Sequence, residues 1–482
     1  MMDELLKDHP EVIKGKPGFP NIGCRRDKNP FSKDVQKIEE AWYFYDTELY
    51  NLKTKKEITK LGSGDPLNYK PFPLCMKKLK EQMSQNIYQY SAAAGDEELR
   101  ADISKYLIKE GFPNKISFNN IIITNSTTNG FYLILKALFR PYDAIIMTAP
   151  NYGLFAFMPE RENISVHTID LKKENDYKVN PKELESFIHK INEDLKKKYK
   201  KLGYIPKVRA FLNINPHNPL GTVLSDKDEI LLKQLGRVCK NNQVFIIDDL
   251  IYRDLSYDRN HLAKPMGTIK EYFDLSISLF GLSKSYGLAQ TRSGFVVANE
   301  EIIRLLRDQV FATMDSASIL QASLLAGAFQ DTKEREKAYK KYFDPLIEEY
   351  EYKRDLCIAL IDGIESIQDS KYYSKIFKRL KKEKQPYLLT GTPCAKTVLK
   401  PESGFFLLID FTELKKQGII NSEKELLRLF YEEEGIKFLV GQSFSWPKEK
   451  EIIMRITYAL DVDTIINTIN LINQIIRKKL EK

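Results

Sequence analysis

The feature that most constrains this chain is a series of short apolar runs separated by helix-length segments. The runs lie at 120–124, 144–148, 208–214, 244–248, 276–280 and 295–298, and are rich in Ile, Val, Leu and Phe. A strand with one face in water alternates apolar and polar residues, whereas a strand covered on both faces has no need to. The segments between read as helices: over 97–110, Leu99, Ile103, Tyr106 and Leu107 fall on one face, and 129–139 reads the same way. Strands and helices in alternation predict an α/β fold, with a large domain in which a mostly parallel sheet is sandwiched by helices. A chain of 482 residues can bury a large core and has room for more than one lobe.

After residue 330 the pattern changes. A long charged helix is expected over 333–362, strands over 405–410 and 452–457, and a last helix carrying Ile465, Ile469, Ile472 and Ile476 at helical spacing. This reads as a smaller α+β domain built from the N- and C-terminal parts. The expected boundaries are 1–90 for an N-terminal arm and part of the small domain, 91–330 for the large domain, and 331–482 for the C-terminal small domain. Residues 1–60 are polar and punctuated by Pro10, Pro17, Pro20 and Pro30, which suits an extended arm more than long helices. The stretch at about 368–400 is polar, basic and broken by Pro386 and Pro393, as a surface insertion would be.

Several function classes are disfavoured by the residues present. Cys24, Cys75, Cys239, Cys357 and Cys394 are far apart and form no Cys-x-x-Cys pair, which argues against a disulfide framework or a zinc site. His9, His167, His189, His217 and His261 show no metal-ligand spacing, so no metal is expected. The net charge of +9 raises nucleic acid as a partner, but the basic runs at 196–201 and 378–384 interleave with acids or lie near them and read as solvated helix faces. No apolar stretch is long enough to span a bilayer, and the first residues mix charges with no secretory apolar region. The expectation is a cytoplasmic protein with neither a nucleic-acid nor a membrane partner.

The chemistry-bearing residues follow the apolar runs. Thr124-Asn-Ser-Thr-Thr-Asn-Gly130 joins a strand to a helix, and Ala149-Pro-Asn-Tyr152 follows the next run. Further on come Asn218-Pro-Leu-Gly221, Asp249-Leu-Ile-Tyr252, then Ser283-Lys284 with Arg292 eight residues later. Each has an ordinary reading: a helix N-cap at Thr127 or Thr128, a core tyrosine at Tyr152, turns at 215–221 and 248–249, a surface arginine at Arg455. In this order they are what a protein needs to hold pyridoxal phosphate as a Schiff base and use it as an electron sink.

Those motifs resemble the class I/II aminotransferase family of fold-type I pyridoxal-phosphate enzymes, the aspartate aminotransferase superfamily, from about Leu61 to Ala459. The resemblance implies pyridoxal 5′-phosphate as cofactor. It implies that Lys284 carries the cofactor, that Asp249 pairs with the ring nitrogen (with Asp248 as its neighbouring rival), and that Tyr252 and Asn218 bond the ring 3-oxygen. Tyr152 would stack on the ring. Ser126, Thr127, Thr128, Ser283 and Arg292 would hold the phosphate, with Tyr90, or its rival Tyr88, reaching it from the other subunit of a homodimer. Ser126 stands where the family usually has glycine, and Gly281 where it often has Ser or Thr. Arg455 would grip the substrate carboxylate, with Gly64 and Asn218 nearby, and the segment 311–316 is a candidate to face the substrate. The implied reaction moves an amino group between an L-amino acid and a 2-oxo acid in amino acid metabolism, with the freed Lys284 amine, its pKa lowered by burial, as the base. No second arginine is assignable to a distal carboxylate, so an aspartate specialist is not supported.

Other functions fit parts of this pattern. A lyase, decarboxylase or cyclase on the same scaffold would use the same cofactor residues, and its products would tell it apart. A ligand-sensing regulator would need an N-terminal winged helix, for which residues 1–60 are too short and too proline-broken. A catalytically dead binding protein would not be expected to retain Lys284, Asp249, Tyr252, Arg292 and Arg455 together.

Overall fold

The computed structural model describes residues 12–13, 22–23 and 31–481, apart from 50–51, 53, 55, 67–68, 86–88, 365–373, 375, 377, 381–390 and 449. Seven strands make the central sheet: β1 Ile121–Thr124, β2 Ala144–Ala149, β3 Ser165–Asp170, β4 Val208–Ile214, β5 Phe245–Asp249, β6 Ser276–Gly281 and β7 Gly294–Ala298. Their spatial order is β1-β7-β6-β5-β4-β2-β3. All run in one direction except β7, which is antiparallel to both neighbours.

The pleat explains why the strands are apolar on both sides. Phe211 of β4 and Ile246 of β5 pack with Leu184, Ile188, Leu232 and Leu235 from the helices Pro181–Lys198 and Glu229–Asn241. Leu212, Ile214 and Ile247 point the other way, onto Phe131 and Ile134 of the helix Ser126–Leu138. Six of the seven strands coincide with the apolar runs to within a residue or so. The seventh, β3, was missed because it is an edge strand whose sequence, Ser-Val-His-Thr-Ile-Asp, is mostly polar, with only Ile169 buried. The lysines at 196–198 lie exposed in the last turn of their helix, where cations suit the negative end of the helix dipole.

A second, antiparallel sheet lies in the C-terminal part: β8 Lys396–Thr397, β9 Phe406–Asp410, β10 Leu439–Val440 and β11 Ile453–Thr457, in the order β8-β9-β11-β10. Beside it Thr59–Lys60 pairs in parallel with Ile436–Lys437, so both ends of the chain contribute to the smaller body. The long helix Lys333–Asp362 and the last helix Val462–Leu480 bury their apolar residues in the same core. Most of the suspected insertion at 368–400 lies outside the described residues.

The N-terminal region, expected as an arm with no long helix, contains a short helix. Residues Lys33–Tyr43 form a helix, N-capped by Ser32, whose Oγ accepts from Val35 N at 3.4 Å. Its apolar stripe of Val35, Ile38 and Ala41 is short, and the prolines before it hid it from a reading by composition. Trp42 Nε1 donates to the Ser443 carbonyl at 3.2 Å, and Gln442 Nε2 donates to the Lys37 carbonyl at 2.8 Å. These bonds dock the helix on the turn after β10. A π-helical turn, Phe44–Glu48, follows directly.

Candidate active site

In a parallel sheet the carboxyl ends of neighbouring strands lie side by side, and ligands collect beyond them. Here Ile214 of β4 pairs with Asp249 of β5, and Asp249 with Leu279 of β6. The loops that follow bring Asn218, Asp249, Tyr252 and Lys284 to one place.

Lys284 Nζ donates to the Gly64 carbonyl at 2.6 Å. Burial lowers its pKa to about 8; Asp65 opposes that shift, while the positive charges of Arg455 and Arg292 add to it. An amine so depressed is available in its neutral, nucleophilic form near neutral pH.

The pleat separates the two neighbouring aspartates. Asp248 accepts from Asn213 Nδ2 at 2.8 Å and from Met266 N at 2.7 Å, so both of its oxygens are engaged in the protein. Asp249 takes one weak bond, from Ile251 N at 3.3 Å, and it is Asp249 whose charge interacts with Lys284. Burial pushes the Asp249 carboxyl up to about 7. A cationic N–H brought against it would restore its ionised form.

Tyr252 is buried edge-on to Phe405 and Phe406, and its hydroxyl has no hydrogen-bond partner among the described residues. Tyr152 is also largely enclosed, with burial raising its pKa against the opposing charges of Arg455 and Arg292. Its ring meets Phe155 edge-on. Asn218 is buried, and its Oδ1 accepts from Arg455 Nη1 at 3.2 Å.

Arg455, from the middle of β11, is 5% exposed, too deep for the edge-strand surface arginine of the ordinary reading. Its Nη2 donates to the Gly62 carbonyl at 2.9 Å, its head lies 4.2 Å from the Phe406 ring centroid, and its Nε is buried with no partner. No acid among the described residues forms an ion pair with it. A buried guanidinium with no acid partner is chemically able to take an anion from outside the chain.

The helix Ser126–Leu138 begins at Ser126, three residues earlier than the sequence suggests, and its N-cap Asn125 makes no side-chain capping bond. Its first turn is therefore open to an anion. Ser126 and Thr127 are buried and Thr128 is half-buried. Ser126 has φ 89°, a conformation that favours glycine; its Oγ accepts from Asn129 N at 3.3 Å, and its carbonyl from Thr124 Oγ1 at 3.0 Å. Gly281 has a local cause: a Cβ there would meet Ile251 Cδ1 at 2.8 Å and Thr127 Cγ2 at 3.0 Å. Ser283 is buried next to Lys284. Arg292 Nη1 donates to the Ala289 carbonyl at 2.8 Å, and its charge reaches Lys284 and Tyr152.

Tyr90 is 86% exposed, and Tyr88 lies outside the described residues. The segment 311–316 sits beside the start of the Ser126 helix, where Asn125 Nδ2 contacts Met314 Sδ at 2.7 Å. Three residues of the site went unread in the sequence. Asp65 directly follows Gly64, and Phe406 lies in the strand expected over 405–410. Tyr45, whose hydroxyl lies near Gly62 and whose pKa responds to Arg455, had no local signal at all.

The profile of the family described as aminotransferase class I and II matches residues 56–472. A Bacillus subtilis protein named "Probable N-acetyl-LL-diaminopimelate aminotransferase" is 24% identical over 431 residues, 88% of this chain and 91% of that one. Aromatic-amino-acid aminotransferase 2 of Thermococcus litoralis is 22% identical, covering 88% of this chain and 92% of its own. Among solved structures, an alanine aminotransferase from Pyrococcus furiosus superimposes with a TM-score of 0.71 at 17% identity, covering 93% of this chain and 99% of that one, a likeness of fold.

Proposed function

The chain belongs to the class I and II aminotransferases, and on that premise we propose that it carries pyridoxal 5′-phosphate on Lys284 and moves an amino group between an L-amino acid and a 2-oxo acid. The protein is an aminotransferase, and the side chains described above suit this cofactor. The open first turn at Ser126, Thr127 and Thr128, with Ser283 and Arg292, suits a phosphate dianion. The Asp249 carboxyl, held near 7 by burial, suits a cationic ring nitrogen. The unpartnered Tyr252 hydroxyl, with Asn218 beside it, suits a ring oxygen, and Tyr152 offers a flat face.

The cofactor, when bound, accepts the electron pair left on an amino acid's Cα when its proton departs. The chain supplies the rest. Arg455 holds the substrate carboxylate, with Asn218 and Gly64 alongside. Displaced from the cofactor by the substrate amine, the freed Lys284 Nζ, whose pKa is lowered to about 8, would take the proton from Cα and hand it on to the cofactor. The reading is carried by one observation: half-buried Lys284, beyond the carboxyl end of β6, shares a site with Asp249 at the end of β5 and with buried Arg455, which has no acid partner among the described residues.

Three further readings accompany this one. Tyr90, exposed in its own subunit, suits a residue that completes a partner's phosphate site in a homodimer. The free buried thiols of Cys75, Cys239 and Cys357 suit a reducing compartment such as the cytoplasm, and a biosynthetic role in amino acid metabolism is the reading the aminotransferase family suggests. The division into 1–90, 91–330 and 331–482 remains our reading; the parallel pairing of Thr59–Lys60 with Ile436–Lys437 supports only its grouping of N- and C-terminal parts in one smaller domain.

The test is the visible spectrum of the purified protein, recorded before and after single amino acids are added. A lysine-bound cofactor band that collapses with some of them, yielding 2-oxo acid, is expected. Absence of a band after adding pyridoxal phosphate would overturn the cofactor reading. Release of ammonia or carbon dioxide in place of transfer would overturn the reaction.

A further inference from the structure

We infer that Tyr45 is a substrate-binding residue whose hydroxyl is a further donor to the carboxylate gripped by Arg455. The inference rests on the reading of Arg455 given above. Tyr45 lies in the π-helical turn Phe44–Glu48. Its position is shared with Arg455 through Gly62. A Cβ on residue 62 would lie 3.0 Å from the Tyr45 hydroxyl, and the Gly62 carbonyl accepts from Arg455 Nη2 at 2.9 Å. The hydroxyl and the guanidinium thus lie against the same glycine.

The ring is held without using the hydroxyl. Lys437 Nζ sits 3.8 Å from its centroid, and Trp42 meets it edge-on at 5.9 Å. Lys437 also reaches Asp46, the next residue in the turn, at 4.0 Å. Tyr45 is half-buried, and its hydroxyl makes no hydrogen bond to a described residue, which leaves the O–H free for a ligand. Burial pushes its pKa up to about 12, with the Arg455 charge opposing, so it remains a donor at neutral pH. A carboxylate offers about four lone-pair sites, and one guanidinium fork satisfies two of them. The Tyr45 hydroxyl, with Asn218 on the other side, is poised for an oxygen that Arg455 leaves open. This gives the N-terminal helix a function: its docking on the Ser443 turn through Trp42 delivers Tyr45 to the site.

The test compares Tyr45→Phe and Arg455→Lys holoenzymes with the parent, using an accepted amino acid as substrate and propionate, a carboxylate without an amine, as inhibitor. For Tyr45→Phe the KM and the propionate inhibition constant are each expected to rise about tenfold, with kcat within about twofold and the cofactor band unchanged. Thermal melting of Tyr45→Phe checks that the retained ring keeps the fold. Unchanged constants in Tyr45→Phe, with both raised in Arg455→Lys, would overturn the inference and leave the reading of Arg455 standing. A raised KM with an unchanged propionate constant would also overturn it, because the effect would not run through the carboxylate. Constants unmoved in both variants would overturn the reading of Arg455 itself.

Discussion

Lys284 Nζ donates a 2.6 Å hydrogen bond to the carbonyl of Gly64, 220 positions earlier in the chain. The amine that the proposed chemistry needs is thereby aimed at the segment Gly62-Ser-Gly-Asp-Pro66, which also anchors Arg455 through Gly62. Replacing Lys284 with alanine is expected to abolish the lysine-bound absorbance band and reduce turnover by at least about 10³-fold. A fully active variant would refute the role.

The same lysine sets a pH dependence. Its pKa falls from the ordinary 10.5 to about 8, chiefly through burial, so the neutral amine is populated at lower pH than on a free lysine. The rate at which apo-protein takes up pyridoxal phosphate is expected to rise with pH through a midpoint near 8. Stopped-flow absorbance would read it, and a midpoint near 10.5 would contradict the burial argument.

Asp249 couples function to stability in the opposite direction. Its pKa is raised by burial from 3.8 to about 7. Between those values the folded apo-protein keeps a proton that the unfolded chain has released, so stability falls as pH rises through the window. Asp249→Asn removes that cost. The apo-variant is expected to melt higher than the parent above pH 7 and about the same at pH 3, while holoenzyme kcat drops by roughly 10²-fold or more. Calorimetry across pH and steady-state kinetics test the two halves separately.

Arg455 lies over Phe406 and has no acid partner among the described residues. Arg455→Lys keeps a charge but loses the planar fork. The KM for the amino acid is expected to rise roughly 10- to 100-fold with the cofactor band intact. Loss of the band with KM unchanged would mean that Arg455 serves the cofactor instead.

Ser126 holds φ 89° at the start of its helix. Ser126→Gly removes a strained L-residue at the cost of one weak bond to Asn129 N, at 3.3 Å. Stability is expected to hold or to rise by about 1 kcal/mol, with cofactor binding retained. Denaturant titration decides it, and a marked loss would show that the hydroxyl outweighs the strain.

The sequence carried the central sheet well because its strands are covered on both faces and must be apolar throughout. It failed at β3, where edge exposure permits His167 and Thr168. It failed again at 33–48, where a short amphipathic helix follows a run of prolines. The spacing to Tyr252 favoured Asp249 over Asp248 in the sequence, and the pleat supplies the physical difference, since Asp248 has both oxygens occupied and Asp249 takes one weak bond.

What the sequence determined by itself was the set of local chemistries: a lysine after a buried strand, an aspartate and tyrosine three residues apart, an arginine in a late strand. Each sits within a few residues of its own structural signal. What only the tertiary structure decided was which distant groups share a surface. Gly64 with Lys284, Asn218 with Arg455, and Tyr45 with Gly62 meet because the two ends of the chain pack together over the large sheet. Such contacts arise from packing between elements, and no spacing along the chain encodes them.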